Sequence, residues 1–454
     1  MLSRGRVLIA PLYLFACLIL GGSAQGIWQN MILQLLGVAI IAWAAMAKSD
    51  EPLSRASKQL LLLAALAIAV VGLQMIPLPP GIWTHLGGRG ALVEGFRALG
   101  TPLPPQPVSL TPASGLDALL GIIPPLAIVC AMVRLKAYRA KWLATALIAA
   151  TLAGIALGAL QVVAANPLES PLYLYDDTNP GRAVGFFANA NHMATLLVIT
   201  IPFLAALVAA GKSASMQRSS AIIAIAGGIA ILVVVGLALN GSLAGYGLAL
   251  PVIAASTLII LPPGNRLRLW VVIVAALLVI GSVTALETTP IGTGRLGEKA
   301  TTSVDSRAEI LATTGHATTD FMPFGSGLGS FISVYHLYEG PEQVTDVYVV
   351  HAHNDYAETT LELGVAGIVL IVLFLAWWAA AVWRAWRTAE AGPFVRAAAV
   401  ASAAVLVHSI VDFPLRTAAI AACFGMCAAL LADSRGAPPK EKKELRRKRH
   451  VEFR

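Results

Sequence analysis

The residues best suited to chemistry lie together at His351-Ala-His353-Asn354-Asp355-Tyr356-Ala-Glu358. Imidazole is the usual proton-transfer group near neutral pH, and neighbouring amides and carboxylates orient it or its substrate. Such a cluster is tolerated only where it meets water or a polar ligand. Two further readings stay open on the residues alone. His351 and His353 make a metal pair only on an extended stretch, because i,i+2 positions on a helix point apart. The plainer reading is a helix entrance whose polar residues cap the backbone. A second candidate, Gly325-Ser-Gly327-Leu-Gly329, has the look of a phosphate loop but lacks the Lys-Ser/Thr pair. It reads as a tight turn whose backbone N–H groups are available to an anion such as a lipid diphosphate.

The elements that position these residues are apolar. Of the 454 residues, 57% are hydrophobic and 12% charged, with a mean hydropathy of +0.76. A soluble chain carries roughly a quarter of its residues charged. The composition therefore excludes an ordinary soluble enzyme, a disordered chain and a collagen, and implies an all-α integral membrane protein. Cys17, Cys130, Cys423 and Cys427 all fall in apolar runs and read as buried hydrophobes, not as disulfides or metal ligands.

A helix crossing the hydrocarbon needs about 20 apolar residues. Twelve runs approach that: 7–24, 27–47, 60–78, 115–133, 142–164, 191–211, 219–239, 243–262, 269–287, 361–383, 397–413 and 416–432. The first also has signal-peptide character, with Arg4 and Arg6 before it, and is read as an uncleaved anchor. With the N-terminus placed inside, 25 Lys and Arg fall on inner segments and 7 on outer ones. The positive-inside rule then puts both termini in the cytoplasm. The expected organisation is a polytopic domain over 1–433 and a basic cytoplasmic tail, 434–454, facing lipid headgroups and not nucleic acid.

Three outer loops are long. Residues 77–114 are rich in proline and read as extended or turn structure. Residues 165–190 carry Asp176, Asp177 and Arg182. Residues 288–360, between helices 9 and 10, are polar enough to form a periplasmic cap. Within them Ser306 to Phe321 reads as a short helix, with Ser306 as N-cap and Glu309 at the capping-box position. His85, His316, His336, His351 and His353 lie in outer loops, and His192 and His408 near outer helix ends, so the chemistry is expected to face outward. The spans hold almost no ionisable residues at mid-depth, which argues against an ion-coupled carrier.

The sequence resembles the O-antigen ligase family, which also includes O-antigen and exopolysaccharide polymerases and protein O-oligosaccharyltransferases. His353-Asn354, nine residues, then Gly364-x-x-Gly367 is similar to its signature. Gly185-Phe-Phe-Ala-Asn189-Ala-Asn191 resembles its Gly-x-Phe-x-Asn-x-Asn segment. Asp305-Ser306-Arg307, the 323–329 glycine turn and His408-Ser-Ile-Val-Asp412-Phe follow in the family's order. The likeness covers about residues 180–430. Where many members carry Ser-Arg-Gly, this chain has Ser242-Leu243-Ala244-Gly245, without a cation.

The resemblance implies a metal-independent inverting glycosyltransferase of the bacterial inner membrane, without a cofactor. It would move a glycan from undecaprenyl diphosphate to an acceptor hydroxyl on the periplasmic side. His353 would be the base and Arg307 the first cation on the leaving diphosphate, with Arg182, Arg295 and Arg416 as further donor-binding candidates. His351, Asn354 and Glu358 would orient the base or the acceptor; Asn189 and Asn191 would contact sugar hydroxyls or cap span six. A lipid A-core acceptor makes the chain a ligase, the favoured reading, and a lipid-linked repeat makes it a polymerase. The oligosaccharyltransferase ranks third because that class usually carries a C-terminal extension. The non-enzyme alternative is a lipid-linked glycan flippase.

Overall fold

The structure is a computed structural model describing residues 5–24, 27–48, 52–211, 216–261, 267–288, 295–342, 344, 348–388 and 391–433. It gives no side-chain account of 216, 218, 268, 279–280, 282–288 and 295–305. The basic tail and the Arg295 side chain thus lie outside the described residues.

Among the described residues the fold is all-α, with one isolated antiparallel bridge between Leu78 and Gln106. The first helices are α1 (Ile9–Leu20), α2 (Trp28–Met46) and α3 (Arg55–Gln74). The Pro-rich loop holds α4 (Pro80–Trp83) and α5 (Gly90–Ala98), and α6 (Pro112–Leu120) and α7 (Ile123–Val133) follow it. Next come α8 (Ala140–Val162), α9 (Ala190–Gly211), α10 (Met216–Asn240), α11 (Leu243–Ile260) and α12 (Leu267–Thr288). The 288–360 segment holds α13 (Arg295–Phe321) and α14 (Phe331–Tyr338). Then α15 (Asp355–Arg387), α16 (Pro393–His408) and α17 (Ala418–Ala432) are the last described helices.

Among the described residues, eight helices are long and apolar enough to cross a membrane. Of the other four expected runs, three fall on the shorter helices α1, α16 and α17 and the fourth on α12, which is 22 residues long. Among the described residues, length and composition thus support eight of the twelve expected spans. Central to the bundle is α9, packed against α8, α10, α11 and α16. Apart from Asn191, His192, Thr195 and Thr200 its residues are apolar, as suits a helix enclosed by others. All four cysteines are free and buried.

Two expectations change. The 77–114 loop is not wholly extended: Pro80 opens α4 at a first-turn position, where its missing N–H costs nothing, and the proline-free stretch 90–98 forms α5. Ser306 is not an N-cap, because α13 already begins at Arg295. Residues 295–305 contain no proline and several strong helix formers, so nothing stops the helix there.

α13 and α14 share a small hydrophobic core with the start of α15. Ile310, Ala317 and Phe321 of α13 meet Phe331, Val334 and Tyr335 of α14, together with Ala352 and Leu361. This core holds α13 against the start of α15, which brings Arg307 to the His353 segment.

Candidate functional site

The site lies where α9, α13, α15 and the 409–417 turn converge. His353 occupies the left-handed region with φ 50°, a strained conformation for a non-glycine residue. The strain is held by the next residue. The Asn354 side-chain oxygen accepts from the Tyr356 and Ala357 N–H groups, capping α15, and its amide donates to the Ile410 carbonyl. The capping expectation and the cluster's chemical reading thus coexist: Asn354 caps, and His353 projects.

Asp412 is the centre of the arrangement. It is fully buried, with His353 Nδ1 3.4 Å from Oδ1 and Arg307 Nη2 3.6 Å from Oδ2. The His353 approach is an ion-pair distance without closed hydrogen-bond geometry, since Nδ1 has no hydrogen-bond partner. The Asn191 amide donates to Oδ2 and the Phe413 N–H donates to Oδ1 at 2.9 Å. His408 Nε2 lies 3.9 Å from Oδ2, while its Nδ1 pairs with Thr195 Oγ1 at 2.7 Å. Burial opposes the Asp412 charge, but the adjacent His353 and Arg307 outweigh it and hold the carboxyl well below its usual range.

The Ser242 segment, which lacks the cation, has a positional role. Ser242 Oγ donates to Asn191 Oδ1 at 2.7 Å and accepts from the Gly245 N–H, capping α11. Asn189 Oδ1 accepts from the Asn191 N–H at 2.8 Å. Asn189 caps α9 and also lines a cavity; Asn191 is engaged on both sides of its amide.

A second cluster braces the first. Arg416 Nη2 lies 3.3 Å from Glu358 Oε1 and 3.1 Å from Glu362 Oε2, and its Nε lies 3.8 Å from Asp355 Oδ1. The three carboxylates raise the Arg416 guanidinium above its usual value against the effect of burial. Glu358 also binds His351 Nδ1 at 2.9 Å and accepts from the Ala352 N–H at 2.9 Å. His351 is thereby oriented by a carboxylate, and Arg416 meets acids of its own chain.

The glycine turn is a turn, as expected, with Gly325, Gly327 and Gly329 all at positive φ. Its anion is internal. The Gly329 N–H donates to Glu362 Oε1 at 2.8 Å, the Gly327 N–H to the Glu362 carbonyl and the Ser326 N–H to that of Leu361. The side facing it is Gly364, at φ 60° within α15, where any Cβ would collide with the Pro323 carbonyl.

A cavity of about 820 Å³ opens beside these residues. It is lined by His353, His351, His192 and Phe413, by Asn189, Asn179 and Asp177, and by Tyr335, Tyr348 and Glu309 of the 288–360 segment. All three imidazoles pack on the Phe413 ring, at centroid distances of 4.2 Å for His351 and 5.0 Å for His353 and His192. Arg182 is half-buried in the 165–190 loop and is not part of this wall.

A buried acid behind a strained histidine on a roomy cavity suits proton abstraction from a hydroxyl-bearing ligand. Residues 203–372 match the family model described as O-antigen ligase, Wzy_C. The chain carries an O-antigen ligase family domain. The domain runs from within α9 through the first half of α15 and so contains Arg307, His351, His353, Glu358 and the glycine turn. Asn189, Asn191 and Asp412 lie on either side of it. The domain and the apolar helices together support a ligase- or polymerase-type glycosyltransferase of the inner membrane. No curated protein matches the chain.

Sequence reasoning placed Asp412 in a motif but gave it no role. The available signal was an acid four residues after His408 in an otherwise apolar stretch.

Proposed function

We propose that the chain is an O-antigen ligase, transferring a glycan from undecaprenyl diphosphate to a hydroxyl of a lipid A-core on the periplasmic face. One observation carries the reading. In an O-antigen ligase domain, His353 is held in a left-handed conformation on the cavity wall with its Nδ1 toward buried Asp412.

In this reading His353 Nε2 takes the proton of the acceptor hydroxyl as its oxygen attacks the anomeric carbon. Asp412 stabilises the imidazolium that forms. The anomeric C–O bond to the diphosphate breaks, undecaprenyl diphosphate departs with the bonding electrons, and the configuration inverts. Arg307, 3.6 Å from Asp412, meets the charge growing on the leaving group. Arg182 and Arg295 are further candidates for the diphosphate. Arg416 is assigned to the Asp355–Glu358–Glu362 cluster that orients His351. No metal is required, so turnover should persist in EDTA.

A lipid-linked donor also needs room for its tail. An apolar cavity of about 450 Å³ lies between α11, α12, α15 and α16, from Val407, next to His408, to Trp386. It supports a polyprenyl chain descending from the site.

The lipid-linked glycan of a deletion strain tests the assignment. Long chains stranded on undecaprenyl diphosphate are expected. Single repeats would make the chain a polymerase, and intermediates trapped on the cytoplasmic leaflet would make it a flippase.

A further inference from the structure

His192 stands in the first turn of α9, 1% exposed, and lines the 820 Å³ cavity. Neither of its ring nitrogens has a hydrogen-bond partner. A neutral imidazole carries one donor and one acceptor, and leaving both unsatisfied in a buried position is costly. Packing alone does not explain the residue. Its ring meets Phe413 edge-on at 5.0 Å and 85°, a contact that phenylalanine would make without the polar penalty. The chain retains two unsatisfied nitrogens where an apolar ring would serve the fold better.

The position suggests what satisfies them. His192 and His353 touch the same Phe413 ring, so a ligand seated at His353 reaches His192 across one aromatic side chain. Asn189, Thr178 and Asn179 line the same cavity. Amide and hydroxyl side chains beside an aromatic face suit a ligand with many hydroxyls. The χ2 torsion of histidine is broad, so a modest ring rotation brings a nitrogen to such a ligand.

We propose that His192 is a substrate-binding residue that hydrogen-bonds a ring hydroxyl of the acceptor sugar while the reacting hydroxyl faces His353. The inference rests on the glycosyl-transfer reading above and adds a specificity contact to it.

The test is transfer by the full chain in proteoliposomes, with undecaprenyl-diphosphate-linked glycan as donor and lipid A-core as acceptor. Alongside it runs thermal unfolding of the same preparations. His192→Phe should raise the acceptor KM about tenfold, the equivalent of one hydrogen bond. The donor KM should stay unchanged, and Tm should be equal or higher. His192→Gln, which keeps a donor and an acceptor, should stay within about threefold of wild type. Wild-type acceptor KM in His192→Phe overturns the inference. So does a lowered Tm or failure to accumulate, because that outcome makes the ring structural. His353→Ala in the same assay separates the two levels. Turnover equal to wild type refutes the transfer reading itself. An inactive His353→Ala beside an unaffected His192→Phe refutes the His192 contact alone.

Discussion

At Asp412 four separate segments meet: His353 from the α15 entrance, Arg307 from α13, Asn191 from α9 and His408 from α16. Asp412→Asn keeps the side-chain shape but removes the charge behind the base, and should lower kcat by at least about 100-fold with little change in acceptor KM. The pH dependence has a definite sign. The folded carboxyl titrates well below its ordinary value, so between the two the unfolded chain binds more protons and stability rises with pH. The contribution is complete above the ordinary carboxylate range, near pH 4, and is lost as pH falls toward the folded value. Tm measured from pH 3 to 6 should fall more steeply on the acid side for wild type than for Asp412→Asn. His353 was legible because histidine and asparagine opening an apolar helix are conspicuous in sequence. Asp412 was not, because its partners lie 59 and 105 residues away and only the tertiary fold assembles them.

The spacing of the signature becomes intelligible at the level of α15. Its first two turns carry Asp355, Glu358 and Glu362 toward Arg416, and the break at Gly364 admits the glycine turn against Glu362. Gly364→Ala forces a side chain into a left-handed position against the Pro323 carbonyl. It should cost at least about 1–3 kcal/mol and lower Tm. Arg416→Ala leaves three buried carboxylates without their cation and should destabilise by about 3–5 kcal/mol, with loss of folded yield. Arg416→Lys distinguishes bracing from donor binding. A brace predicts lowered Tm with unchanged donor KM, whereas a raised donor KM at normal Tm would return Arg416 to the diphosphate. The glycine turn was legible from composition, since only glycine accepts such dihedrals readily. Its internal anion was not, because Glu362 reads in sequence as one more polar residue at a helix start. The full length of α13 was missed because a plausible cap at Ser306 competes with a helix that simply continues.

For the whole molecule, apolar composition made the all-α membrane architecture legible, and charge asymmetry supplied an expected orientation. Hydropathy marks twelve apolar runs, and eight of them fall on described helices long and apolar enough to cross a membrane. The apolar cavity between α11 and α16 was invisible in sequence, since its lining residues look like any other span. Ala403 is half-buried on its wall. Ala403→Trp should fill part of it and raise the KM for a full-length polyprenyl donor at least threefold, while a short-chain donor analogue is unaffected. The account as a whole stands on His353 acting as the base of a glycosyl transfer from a lipid diphosphate. Its most direct measurement is transfer by purified wild type and His353→Ala in proteoliposomes, with undecaprenyl-diphosphate-linked glycan, lipid A-core and EDTA. The account predicts glycan-bearing lipid A-core from wild type and at least a 100-fold slower reaction from an equally folded His353→Ala. Equal rates from the two proteins would contradict it.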